Sequence, residues 1–511
     1  MKNKKLLGIT LATAVAFSTV SCNRDKFLDI NAIPNSPTEV SMPVLLSGVS
    51  ITTGFMATND LDRTTSLLTQ QYAGIANQPA AYDVYILRGS FDNQWNGELY
   101  GGTLINSQKL IDLAATKASP AYGGIAKLLK AYSFAVTTDL YGDIPYSQAL
   151  QGSANLHPRY DKQEDIYKGN TALGIQGLIA LVQEGLADLD KTSAAKPGES
   201  DDPVYGKTAN NVAQWKKMGN TLLLKLANTI SNKEPVLAAG IINQAASKAF
   251  TTNADDFDVA FGSSVGNQNP LYLYNFATRQ DDQMLSQTIL DVMNVRNDPR
   301  LPIYFTTTPT ATATVNSTGT NTAVGTFTGY INGNAITPPS RPLGYRSRYN
   351  TYIRGIAGEA PARLLSNAQR LFILAESVLV LPGITVSGTA QSLYQDGIKA
   401  SMTKAGITDA AVTAYFLANP TVAKLSTTKA TALEQIITQK WIASVGNGFE
   451  PYNDYRRTGY PVLGAALNAS GDDGKLPQRF IYPLSELNSN AGAENQNAGL
   501  TTSDKVWWAT K

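Results

Sequence analysis

Ile125, Leu128, Leu129, Tyr132, Val136 and Leu140 follow one another at steps of 3, 1, 3, 4 and 4 residues. That spacing lines one face of an α-helix and no face of a strand. An apolar stripe of this width has to be covered by another element, so the chain must pack helix on helix. The stretch ends at Gly142 and Pro145, residues that stop a helix. Trp215, Met218, Leu222, Leu226 and Thr229 repeat the pattern, and it returns over 361–380, 391–405 and 431–444. Asp161 followed by Glu164 has the spacing of a capping box that opens a helix through Ile166 and Tyr167. The fold class predicted is mainly α, with amphipathic helices recurring at intervals that suit stacked helical hairpins.

Two regions break the period. Residues 306–339 are rich in Thr, Gly, Asn and Ala and read as loop or exposed hairpin. Residues 446–511 are rich in Pro, Gly and Asn and read as turns. The organisation expected is one body over 44–511: helical at 44–240, an irregular insert at about 250–355, helical at 361–445, and turn-rich from 446 on.

Composition removes much chemistry. The 511 residues include one histidine, His157, and one cysteine, Cys22. Zinc sites, disulfide frameworks and Cys–His nucleophiles are therefore excluded. A formal charge of +2 argues against a nucleic-acid binder. A chain this long buries roughly three quarters of its unfolded surface, so it needs neither metal nor disulfide to fold. No Gly-rich phosphate loop follows a strand and no Gly-x-Ser-x-Gly elbow occurs, so no cofactor and no metal are expected.

The cysteine has a special place. Lys2, Lys4 and Lys5 precede an apolar run from Leu6 to Val20, then Ser21 and Cys22. A run of fifteen residues, interrupted only by Thr and Ser, is too short to span a bilayer and reads as the core of an export signal over 1–21. A cysteine directly after the small residue is similar to the lipobox of bacterial lipoproteins, although Thr19 stands where Leu is usual. Cys22 is thus the expected lipid attachment, followed by a Pro-punctuated tether over 22–43. The alternative is a plain secreted protein with a free thiol.

Sugar recognition needs ring faces for C–H surfaces and amides or Arg for hydroxyls. Three segments offer both. The first carries Tyr82, Tyr85 and Arg88, with Trp95 and Asn96 beyond; the second carries Tyr272, Tyr274 and Asn275. The third carries Tyr345, Arg346, Arg348, Tyr349 and Asn350, with Tyr352 and Arg354. In the first two the aromatics stand close together among polar residues and Pro, more as in loops than in a core. Glycoside hydrolysis would need two carboxylates across the scissile bond. Asp255, Asp256 and Asp258, and Asp472 and Asp473, supply carboxylates but sit among Gly, Asn and Ala, as solvated turns do. No catalytic residue is assigned, and His157 reads as a loop residue.

Longer motifs run the length of the chain. They include Asn31, Pro34, Asn35, Pro37 and Thr38; Asp139 to Tyr146; and Pro158, Tyr160, Asp161, Gln163, Glu164, Ile166 and Tyr167. Trp215, Met218, Asn220 and Leu222 to Ala227 follow, then Leu393, Tyr394, Gly397, Ile398, Ser401 and Met402. Gln439 to Trp441, Glu450 to Pro461, Arg479, Tyr482, Pro483, Glu486 and Val506 to Trp508 complete the set. In these blocks the chain resembles the SusD/RagB-like outer-membrane lipoproteins of Bacteroidetes, in the SusD-like, starch-binding-associated branch. The resemblance implies a SusD-like fold of tetratricopeptide-like helix pairs with a loop-rich ligand region. It also implies a lipid-anchored, outward-facing outer-membrane protein that binds a glycan and delivers it to a SusC-like TonB-dependent transporter, without catalysis. A surface glycosidase and a peptide-binding or adhesin scaffold are the alternatives. Most of the motif residues, Tyr141, Tyr146, Trp215, Trp441 and Arg457 among them, are expected to pack helices and hold turns.

Overall fold

The computed structural model describes residues 40–307, 325–334, 346–493, 496 and 499–510. The expected signal and Cys22 lie outside these residues, as do the tether before residue 40, Tyr345 and most of 306–339; the tether's last two residues, Met42 and Pro43, are already helical. Contacts divide the chain between Ser41 and Met42, and residues from Met42 on form one unit.

Helix Met42–Met56 opens that unit, with Leu45, Leu46, Val49, Thr53 and Met56 buried. Helices Ile105–Thr116 and Pro120–Tyr141 pack together, and Pro120–Tyr141 packs on Leu178–Asp188. The last pair meets backbone to backbone: a Cβ on Gly124 would lie 2.7 Å from the Gly185 carbonyl oxygen. Asn211–Ile230 pairs with Pro235–Ala245, and Asn367–Val380 with Ala390–Lys404 and Lys429–Ala443. Side chains of Asn210, Ser366 and Thr389 accept N–H groups in the first turns that follow them. The mainly α fold built of helix pairs is the one expected.

Several local expectations are corrected. Asp161 opens no capping box: Gln163–Lys168 starts without a side-chain cap from Lys162, and Asp143 Oδ1 accepts the Gln163 N–H at 2.8 Å. The helix expected from 361 starts at Asn367, because Ala362–Leu365 is a strand antiparallel to Phe257–Val259. Asp255 and Asp256 are buried, not solvated, with Asp255 bound to Lys217 and Asp256 to Lys404. The turn-rich end begins with a helix, Phe449–Thr458. The irregular insert also holds a helix, Gln287–Asn294, and the strand Gln283–Leu285 paired with Tyr72–Gly74.

The motif residues meet at the centre. Asp139 Oδ1 accepts the Tyr167 hydroxyl at 2.6 Å and Trp508 Nε1 at 3.0 Å. Its Oδ2 accepts Asn453 Nδ2 at 2.8 Å and faces Lys225 Nζ at 3.3 Å. Lys225 also faces Glu450, which accepts Gln369 Nε2 at 2.7 Å. Arg457 grips Glu376 with both terminal nitrogens and reaches Asp454 at 2.9 Å, while Lys440 meets Asp454 at 3.0 Å. Alternating buried charges of this kind hold only where each is partnered. Segments far apart in sequence are thereby forced into one register.

Candidate functional site

The rings of the first group are buried, although Tyr85 and Arg88 do lie in the turns after helix Asn77–Asp83. Tyr82, Tyr85 and Trp95 are 4%, 3% and 1% exposed, so none of their ring faces is open. The polar atoms of Tyr85 and Trp95 hold the C-terminal stretch instead, and the Tyr82 hydroxyl accepts from Gln78. Tyr85 Oη accepts the Ala466 N–H at 2.9 Å, and Trp95 Nε1 donates to Glu486 at 3.2 Å. The exposed Arg88 binds Asp472 at 2.8 Å and the exposed Asn96 donates to Ser485 Oγ at 2.8 Å. Trp95 and Asn96 lie on a π-helix, Gln94–Leu104. A Cβ on Gly101 or Gly102 would sit 2.3 or 2.5 Å from the carbonyl oxygen five residues back, so this wide turn depends on glycine.

The second and third groups come together. Asn269 caps Pro270–Tyr272 through Leu271 N–H at 2.8 Å and ties the turn to Ala360 at 2.8 Å. A second π-turn, Leu273–Thr278, follows and closes with Arg279 N–H on the Tyr274 carbonyl at 2.8 Å. It sets the half-buried rings of Tyr272 and Phe276 near-parallel, 13° between planes and 6.2 Å between centroids. The Arg354 guanidinium lies 3.4 Å from the Phe276 centroid and that of Arg348 lies 4.0 Å from it. Arg348 also donates to the Asn275 carbonyl at 2.9 Å. Asn275 is buried, with Oδ1 unpartnered, and Arg346 is buried against Asp281 at 2.9 Å.

Helix Asp60–Leu68 braces this platform. Tyr274 Oη donates to Asp282 at 3.1 Å while its ring carries Arg63. Asn59 joins Arg63 to Glu98 of the other π-helix, with bonds of 3.2 and 2.6 Å. Burial pushes the Glu98 carboxyl up to about 7 and draws Arg63 down to about 10. Phe276 and Arg63 were missed in the sequence; the step of four from Tyr272 to Phe276 was the only available signal.

A separate cleft of about 970 Å³ lies between the end of helix Phe449–Thr458 and the C-terminal turns. Asn232, Tyr455, Leu463, Gln478, Ser503 and Lys505 are among its lining residues. Among the described residues no cluster of three or more His, Cys, Asp or Glu suits a metal. None of their helices is long and apolar enough to cross a membrane.

Stacked helix pairs carrying an irregular region with half-buried rings are the architecture shared with SusD-like proteins of known structure. Solved structures agree. A chitin-binding protein superposes with a TM-score of 0.75 at 23% identity, over 92% of this chain and 100% of its own. A chitin-binding SusD homologue from Flavobacterium johnsoniae gives 0.74 at 24% identity, over 91% and 99%. A SusD homologue from Bacteroides uniformis gives 0.72 at 25% identity, over 93% and 100%. The chain belongs to the family described as starch-binding and associating with the outer membrane, whose sequence model matches residues 34–483. Comparison with curated proteins finds no match.

Proposed function

We propose that the chain is a glycan-binding lipoprotein of the outer membrane that captures oligosaccharide and delivers it to a SusC-like TonB-dependent barrel. Cys22 would carry the lipid. The observation behind this is the convergence of Tyr272, Phe276, Arg348 and Arg354 on one patch. The half-buried Tyr272 ring beside guanidiniums laid over Phe276 suits a pyranose, whose C–H face stacks while its hydroxyls accept. The family's description and the printed names of two chitin-binding neighbours point the same way.

Binding without catalysis is favoured because the acidic clusters are spent elsewhere. Asp255 pairs with Lys217, Asp256 and Asp258 with Lys404, Asp472 with Arg88 and Asp473 with Lys475. The test is calorimetric titration of the full chain with a panel of oligosaccharides, using Tyr272→Ala, Phe276→Ala and Tyr455→Ala. Losing one stacking ring should weaken binding roughly five- to tenfold. The first two variants should show it and Tyr455→Ala should not. The reverse pattern would move the site to the 970 Å³ cleft. Binding of peptides alone would favour the scaffold alternative.

A further inference from the structure

The guanidiniums around Phe276 are more numerous than a neutral sugar requires. Arg346, Arg348 and Arg354 lie within nine residues, and among the described residues only Arg346 of the three meets a carboxylate, that of Asp281. Arg354 spends its bonds on carbonyls: Tyr349 at 3.1 Å, Gly355 at 2.5 Å and Ile356 at 3.4 Å. Arg348 has the Asn275 carbonyl at 2.9 Å and the Phe276 ring. Glu359 acts on Arg354 only through space, and its oxygens accept the Ile356 and Ala357 N–H groups at 2.9 and 2.8 Å. Asp282 is taken by Asn77 at 2.6 Å and Tyr274 at 3.1 Å. Among the described residues, the buried Nε of Arg346 meets no acceptor.

Elsewhere in the interior, Lys225, Arg300, Lys440 and Arg457 each meet a carboxylate, while Arg456 and Arg479 are held by carbonyl oxygens in fully packed surroundings away from the ring platform. Here like charges are drawn together and desolvated with less than their share of acid. Desolvation, with repulsion from Arg348, lowers the pKa of Arg346 and of Arg354, which marks the cations as under-compensated. Such a site gains most from an anion brought by the ligand, since a charge-assisted guanidinium–oxyanion pair is about twice as strong as a neutral one.

Building on the glycan-binding proposal for this patch, we infer that its preferred ligand is an acidic saccharide, bearing a carboxylate or a sulfate that Arg348 holds beside the ring platform, with the charge of Arg354 behind it. Arg348, half-exposed, makes first contact. Uronate and sulfate ester share this chemistry and are told apart by the probes.

The experiment is titration of the full chain with tetragalacturonate, a chondroitin sulfate tetrasaccharide, maltotetraose and chitotetraose, at low and at high salt. One or both acidic probes should bind about tenfold tighter than the neutral ones, with the advantage shrinking as salt rises. Arg348→Gln should erase it and Arg348→Lys should restore part of it, with the fold checked by circular dichroism. Neutral probes binding as well as acidic ones, or an advantage that survives Arg348→Gln, overturns the inference and leaves the glycan reading standing. No saccharide binding at all overturns both.

Discussion

The guanidinium carbon of Arg63 sits 3.4 Å from the centroid of the Tyr274 ring. Through that contact helix Asp60–Leu68 steadies the π-turn that carries Phe276, and through Asn59 it reaches Glu98 on the other π-helix. Arg63 also pairs with Asp60 one turn back. Its removal forfeits a buried cation–π contact, about 2 kcal/mol when desolvated, and leaves Asp60 without its cation. Arg63→Ala is expected to lower unfolding free energy by about 2–3 kcal/mol and to loosen saccharide binding severalfold. Denaturant titration and calorimetry check the two halves. A variant as stable as wild type would show that Arg63 is not the brace.

How much of this was legible beforehand differs by residue. Ile125 to Leu140 announced their helix because its stripe is local, and Asp139, Trp215 and Arg457 announced interior roles through motif and type. Tyr85 and Trp95 misled because what claims their polar tips lies far off in sequence, at Ala466 and Glu486, while Tyr82 is closed in by Phe91 nearby. Local polarity around an aromatic says nothing of a distant segment that will claim its polar tip. The platform was half legible: Tyr272, Arg348 and Arg354 were visible as types. Their meeting at Phe276 depends on a π-turn, whose wider pitch no helical period reveals.

Trp95 gives the cleanest contrast with the platform. It packs edge-on to Tyr141 at 4.8 Å between centroids and lies against Tyr100 at 4.8 Å. Truncating a buried tryptophan costs about 3–5 kcal/mol. Trp95→Ala should therefore lose that much stability while the folded fraction keeps near-normal saccharide affinity. A large affinity loss at unchanged stability would put Trp95 back in the site.

Arg457 is held by Glu376 and Asp454, all three buried, and these carboxylates raise its pKa. Asp454 retains Lys440 if the arginine is lost, but Glu376 is left as an uncompensated buried charge. Arg457→Met should destabilise by about 3–5 kcal/mol. Replacing both partners, Arg457→Met with Glu376→Met, should recover part of the loss. A double-mutant cycle with no coupling would show that the pair is not the source of the cost.

Asp62 sets an expectation for pH. It is buried, with Oδ1 accepting the Gly448 N–H at 2.5 Å and Oδ2 unpartnered. Desolvation pushes it up to about 7 from an ordinary 3.8, against the pull of that N–H. Asp83 and Asp256 are likewise pushed up to about 7 by burial. Between 3.8 and about 7 the folded chain keeps a proton at Asp62 that the unfolded chain has shed. More protons bound to the folded state means that stability falls as pH rises through this window, by up to about 1.4 kcal/mol per unit for each such group. Asp255 works oppositely: Lys217 and the Thr251 and Thr252 N–H groups outweigh its burial and hold it down at about 2, so its contribution is lost only as pH falls below the ordinary carboxylate range. Denaturant titrations from pH 5 to pH 8 should thus show declining stability. Asp62→Asn can still accept the Gly448 N–H, so it should flatten the slope and be the more stable protein at pH 8. A wild-type profile that rises over this range, or an Asn variant with the full slope, would mean that Asp62 is ionised in the folded protein throughout.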